Sequence, residues 1–252
     1  MYAQSKCVVR VFLGAAIAWI GSASTVQAAF LTPGSWTPGD TSTTYQEWSH
    51  FTAADTTPDA GYLTSPAITT EPDLVPVAPG FTTGSGNFYS FSGNYGFTAE
   101  IYNHGGSAGT GGLPAGSGTH VIVQTAATLN GTTGVFSNTL EVVDLLGNPL
   151  SGGSNSNALS HGVIFEGIVS STFGDVLIRE EIWEFFLPGY TGDFKIQADV
   201  IVHSSFQGIR VDSAVSPSAF AVTAVPEPMT MALLGLGGSY VVSRRRRKKL
   251  RQ

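Results

Sequence analysis

The feature that most limits what this chain can fold into is a period-two alternation of apolar and polar residues. Phe194, Ile196, Ala198, Val200 and Val202 alternate with Lys195, Gln197 and Asp199. Successive side chains of an extended chain point to opposite faces, so this pattern sets one face on a core and the other in water. Similar runs occupy residues 45–51, 87–91, 95–102, 120–129, 140–146, 163–170, 175–187 and 206–212, with Gly, Pro, Asn and Ser between them. Eight or nine such strands predict an all-β fold, an antiparallel β-sandwich or a jelly-roll-like domain. In 175–187, Ile178, Ile182 and Phe185 also fit helical spacing, but the aromatic and β-branched content favours a strand. The loop 188–193, Pro-Gly-Tyr-Thr-Gly-Asp, is expected to join 175–187 to 194–202 as the best-defined hairpin.

Two segments read as loops. Residues 56–80 carry Pro58, Pro66, Pro72, Pro76 and Pro79 and are expected to lie extended over the sheet surface, and 151–157, Ser-Gly-Gly-Ser-Asn-Ser-Asn, reads as a flexible polar loop. Neither separates two cores and no repeat of fixed period is apparent, so residues 30–224 are taken as one domain.

Charge is divided unevenly along the chain. Of the 12 basic residues, Lys6 and Arg10 precede the domain and seven lie after Ser243, which leaves Arg179, Lys195 and Arg210. Against these three stand 17 of the 18 carboxylates, a net charge of −14 for the middle of the chain. Such a surface repels nucleic acid and anionic lipid, and no nucleic-acid partner is expected. The single cysteine, Cys7, comes before an apolar run, the wrong side for lipidation, and its removal with that run would leave a domain without thiols.

Both ends carry transport signals. Lys6 and Arg10, the apolar stretch 11–20 and Val26-Gln27-Ala28 have the three parts of a secretory signal peptide, residues 1–28, with cleavage expected after Ala28 or else after Ala29. An uncleaved membrane helix is the alternative, but about ten apolar residues fall short of the ~20 that span hydrocarbon. At the other end Pro226, Glu227 and Pro228 enforce an extended start, since each proline fixes its own φ and restricts the residue before it. An apolar helix is predicted over 229–242, with three glycines, followed by Arg244, Arg245, Arg246, Arg247, Lys248 and Lys249 as a basic stop that stays in the cytoplasm. In order and spacing, residues 225–252 resemble a PEP-CTERM sorting signal. The resemblance implies recognition by an exosortase-type transpeptidase, processing near residues 226–228, transient membrane contact through 229–243, and export to the cell envelope, cell surface or extracellular polysaccharide. Signal peptidase would be the second partner. An ordinary single-span tail anchor is the alternative.

Chemistry is harder to find. His50, His104, His120, His161 and His203 are scattered and make no ligand spacing, so no metal is expected from them. Asp55 with Asp59, or Glu71 with Asp73, offers hard oxygen ligands for calcium, but no EF-hand or RTX-like pattern accompanies them and solvated loops are the plainer reading. Glu180, Glu181 and Glu184 flank Trp183, and on a strand Glu180 and Glu184 share a face as a glycosidase or lyase pair would. The plainer reading is three acids on an exposed edge that discourage sheet aggregation. No nucleophile elbow, P-loop or dinucleotide fingerprint is present. Trp36, Trp48, Tyr62, Phe88, Tyr89, Tyr95 and Tyr102 would suit either a core or a sugar-stacking face. The expectation is a non-catalytic structural or adhesive protein without a cofactor, then a carbohydrate-binding module, then a hydrolase or lyase.

Overall fold

The computed structural model describes residues 30–37, 40, 42–52, 57–62, 73–102, 117–131, 134–135, 138–171 and 174–216. The segments expected to be a signal peptide, 1–28, and a sorting tail, 225–252, lie outside the described residues. Among the described residues thirteen strands are formed: β1 (Thr43–Trp48), β2 (Ala60–Tyr62), β3 (Leu74–Val77), β4 (Phe81–Thr82), β5 (Phe88–Tyr89), β6 (Tyr95–Ile101), β7 (Gly118–Thr128), β8 (Glu141–Asp144), β9 (Pro149–Ser154), β10 (Ser160–Ser171), β11 (Gly174–Pro188), β12 (Phe194–Val200) and β13 (Phe206–Ser216). They make two antiparallel sheets. The large one runs β10-β11-β7-β13-β1-β2, with β5 also pairing β13 and β4 pairing β5, and the small one runs β3-β6-β12-β8-β9.

One apolar cluster joins the sheets. Trp48, Val121, Val123, Trp183, Phe185, Leu187, Ile209 and Val211 come from the large sheet, and Leu74, Phe97, Ala99, Ile101, Val142, Phe194 and Ile196 from the small one. The alternation of β12 is realised residue by residue: Phe194, Ile196, Ala198 and Val200 are buried while Lys195 and Gln197 are half-buried and Asp199 is exposed. Near the β4–β5 end the core is aromatic. Phe97 stacks on Phe206 with centroids 4.2 Å apart, and Phe88 meets Phe51 at 4.2 Å. The Tyr95 hydroxyl lies 2.9 Å from the Phe88 carbonyl and 3.0 Å from that of Ser204, and accepts from the Phe206 amide at 3.2 Å. This satisfies a buried phenol whose pKa burial drives above the ordinary value.

Three expectations are corrected. The segments 175–187 and 194–202 are not a hairpin: β11 pairs with β10 and β7, whereas β12 pairs with β6 and β8. The loop between them carries the chain from one sheet to the other, with the Thr119 hydroxyl donating to the Tyr190 carbonyl at 2.7 Å. Alternation specifies which face of a strand is buried, not its neighbour, and here two apolar faces meet across the core. The true hairpin is β10–β11, where Ser171 pairs with Gly174.

Residues 151–157 are not a loose loop either. Ser151 to Ser154 belong to β9, and Asn155–Asn157 form a 3-10 turn. The glycines permit close approach: a Cβ on Gly152 would strike the Phe186 carbonyl, and one on Gly153 the Val142 carbonyl, so these positions exclude side chains. Within 56–80, β2 and β3 are edge strands, and Pro76 is tolerated in β3 because only β6 pairs with it. With β9, the two-residue strand β4 makes up the rest of the excess over the expected eight or nine, β5 falling within the expected 87–91.

Truncating Phe206 to Ala removes the ring stacked on Phe97 and packed near Phe51 and Phe88. Urea unfolding should show a loss of about 3–5 kcal/mol, and a loss below about 1 kcal/mol would contradict this packing.

Candidate functional site

The acids of β11 lie on both faces of the strand. Trp183, Phe185 and Leu187 face the core, so Glu180, Ile182, Glu184 and Phe186 face outward. Register extends this outer face into rows. One row reads Tyr45, Asp212, Ile122, Glu184 and Ser160, and the next reads Glu47, Arg210, Gln124, Ile182 and Gly162. Glu181 stands on the other face, where the His161 Nε2 lies 3.2 Å from its Oε1 and the imidazole stacks on Trp183 at 4.7 Å.

The outer face is not open to water. Residues 30–37 cross it, held by a reciprocal pair in which the Leu31 amide donates to the Gln124 Oε1 and the Gln124 Nε2 donates to the Leu31 carbonyl, both at 2.7 Å. The Phe30 ring lies over Gly208, and Trp36 packs on His120 with centroids 5.2 Å apart. Between this strap and the sheet is a cavity of about 30 Å³ lined by Leu31, Pro33, His120, Gln124, Ile182 and Glu184. Burial lowers the His120 pKa to about 4 and raises those of Glu180 and Glu184, with a Ser160 hydrogen bond partly offsetting the rise at Glu184. The Glu184 Oε2 has no hydrogen-bond partner among the described residues. Beyond the cavity, Arg210 makes a bidentate pair with Asp212 at 2.8 Å on both arms, reaches Glu47 at 3.3 Å, and covers the Tyr45 ring at 4.6 Å. Such a planar fork saturates an otherwise stranded buried carboxylate.

This arrangement revises the reading of the acids. β11 lies between β10 and β7, so Glu180, Glu181 and Glu184 do not guard an exposed edge; they are 7%, 5% and 7% exposed. Glu180 and Glu184 do share a face, but four residues of extended chain separate their Cα atoms by about 13 Å.

Of the other candidates, Asp59 is engaged by the Ser49 amide at 2.6 Å and the His50 amide at 2.7 Å, an anchor for a turn. Asp55, Glu71 and His104 lie outside the described residues, as do Ala28, Pro226, Glu227, Pro228 and the basic cluster from Arg244 to Lys249. Among the described residues no group of three His, Cys, Asp or Glu is placed to hold a metal ion. Trp48, Phe88 and Tyr95 are core, Trp36 is a buried residue of the strap itself, and Tyr89 and Tyr102 are half-buried. Among the described residues the large exposed rings are Phe81, Phe91 and Phe165, none of them among the candidate aromatics of the sequence. The in–out alternation from Phe88 to Tyr89 was the only signal of such a surface.

A family model described as the PEP-CTERM protein-sorting motif matches residues 224–248. The chain carries a PEP-CTERM sorting motif. No curated protein matches the chain. The motif implies an exported protein of the cell surface or extracellular space, and it begins eight residues beyond the end of β13 at Ser216. Among the described residues no helix is long and apolar enough to cross a membrane.

The strap cavity predicts a pH dependence. Between pH 6.5 and about 4 the unfolded chain binds a proton at His120 that the folded chain does not, so stability falls as pH drops through this window. Glu180 and Glu184 act oppositely, because their raised pKa values make the folded state hold protons more tightly as pH falls. Urea midpoints at pH 6.5 and 4.5 should show His120→Gln losing about 2 kcal/mol less than the parent chain over this interval. Equal losses would contradict a buried neutral imidazole.

Proposed function

We propose that the protein is a surface or extracellular-matrix component, processed at both ends, whose β-sandwich serves a structural or adhesive role without catalysis. The observation that carries this reading is the sorting motif joined by a short connection to a strand in the interior of the large sheet. β13 is hydrogen-bonded on one side to β7 and on the other to β1. A chain held at its C-terminus during sorting would load a strand clamped on both edges rather than a peripheral one. Signal peptidase and an exosortase-type transpeptidase are the partners of the two ends, with residues 229–243 making a transient membrane contact.

The acids support the non-catalytic side of the proposal. A cavity of about 30 Å³ at Glu184 has room for water-sized groups and not for a sugar ring, whereas ligand sites commonly span ~300–1,000 Å³. A carbohydrate-binding role is the second reading, favoured by the exposed aromatic rings.

Intact mass of the exported protein tests both ends together. The expected species begins at residue 29 or 30 and ends near residues 226–228. A full-length chain of 252 residues recovered from the cytoplasm would overturn the proposal.

A further inference from the structure

Phe81, Tyr89 and Phe91 form an aromatic platform on the β4–β5 hairpin. Phe91 is 71% exposed and Phe81 40%, and clustered exposed rings, unlike scattered ones, mark interaction sites. Phe81 and Phe91 stack with centroids 5.7 Å apart and planes 21° from parallel, while Tyr89 meets Phe91 edge-on at 4.8 Å. The hairpin is fixed from below, because Phe88 alternates inward against Phe51 and opposite Phe206, and its carbonyl is within hydrogen-bond reach of the Tyr95 hydroxyl. His203 stands at the platform's side with φ of 64°, in the left-handed region; its amide donates to the Ser90 carbonyl and its Nδ1 lies 3.3 Å from the Tyr89 hydroxyl. Non-glycine residues held in that region are costly and cluster at functional sites.

The charge pattern narrows the occupant. From Leu74 to Ala99 the sequence has no Asp, Glu, Lys, Arg or His, an uncharged window in a domain of net charge −14. Its rim carries hydroxyl and amide groups from Thr83, Ser85, Asn87, Ser92 and Asn94. The three cations of the domain are already paired, Arg179 with Glu166, Lys195 with Glu100 and Arg210 with Asp212 and Glu47, which leaves an anionic polymer little to bind. Flat apolar rings bordered by neutral hydrogen-bonding groups match a pyranose ring, which has an apolar C–H face and a perimeter of hydroxyls.

We propose that Phe81 and Phe91 bind an uncharged polysaccharide by stacking its pyranose rings, with Tyr89, edge-on to both, and His203 hydrogen-bonding its hydroxyls. The proposal deepens the surface-protein reading and rests on it for the setting in which the chain meets such a polymer.

The test titrates the full chain, purified in mild detergent, with cellohexaose, laminarihexaose and xylohexaose, following heat and intrinsic fluorescence. Saturable binding of at least one neutral hexamer is expected, with much weaker binding of hexagalacturonate. Phe91→Ala and Phe81→Ala should each weaken binding by about tenfold or more, Phe91→Tyr should retain it, and Val75→Ala on the neighbouring edge strand should not change it. Near-UV circular dichroism confirms that each variant is folded. No binding of any neutral hexamer, or full affinity in folded Phe91→Ala, overturns the proposal. So does a platform substitution that alters sedimentation instead, which would make the patch a protein contact. The titration does not depend on export, so failure of binding is distinguishable from failure of sorting.

Discussion

A strand buried on both faces needs two covers, and β7 sets that requirement here. All eleven of its residues are buried. The inner face is covered by the small sheet through the shared core, and residues 30–37 lie across the outer face. That outer face is partly polar, with His120 and Gln124 among its buried groups, so its cover must do more than exclude water. An unsatisfied buried amide costs about 1–3 kcal/mol, and the reciprocal Leu31–Gln124 pair satisfies both ends of the side chain. The position of the strap, the depressed His120 pKa and the raised Glu184 pKa follow from this double burial.

Much of the fold was legible in the sequence where a strand has one wet face. β12 and β6 show alternation because one side meets the core and the other water, and their limits fall within a few residues of the expected ones. Strands buried on both sides obey a different rule. In β11 the outward Glu180 and Glu184 read as solvent-facing because the cover over them is a separate segment, which alternation does not reveal. The mistaken β11–β12 hairpin has a related cause, since proximity along the chain favoured lateral pairing while the two apolar faces met across the sandwich. Composition misled in 151–157: glycine read as freedom, whereas Gly152 and Gly153 are required by backbone approaching within contact distance.

The candidate surface was less legible. Aromatic residues supply the largest side chains of the core, so their number alone does not distinguish a binding platform from packing. Phe88 and Tyr89 are adjacent with opposite fates, and only the pairing of Phe88 with Phe206 decides which faces inward. The C-terminal sorting motif, by contrast, is a linear pattern and is readable without a fold. The resulting molecule has an address in its tail, an acidic sandwich closed over its central strand, and an uncharged aromatic edge.

The central claim is that β7 is the closed centre of the domain and that residues 30–37 belong to its cover. Native-state hydrogen exchange resolved to single amides tests it most directly. The amides of β7 and that of Leu31 should exchange only through opening of the whole domain, with a common free energy, while β4 and β5 at the rim exchange faster. Fast exchange at Leu31 and along β7, with β11 and β13 still protected, would contradict the account.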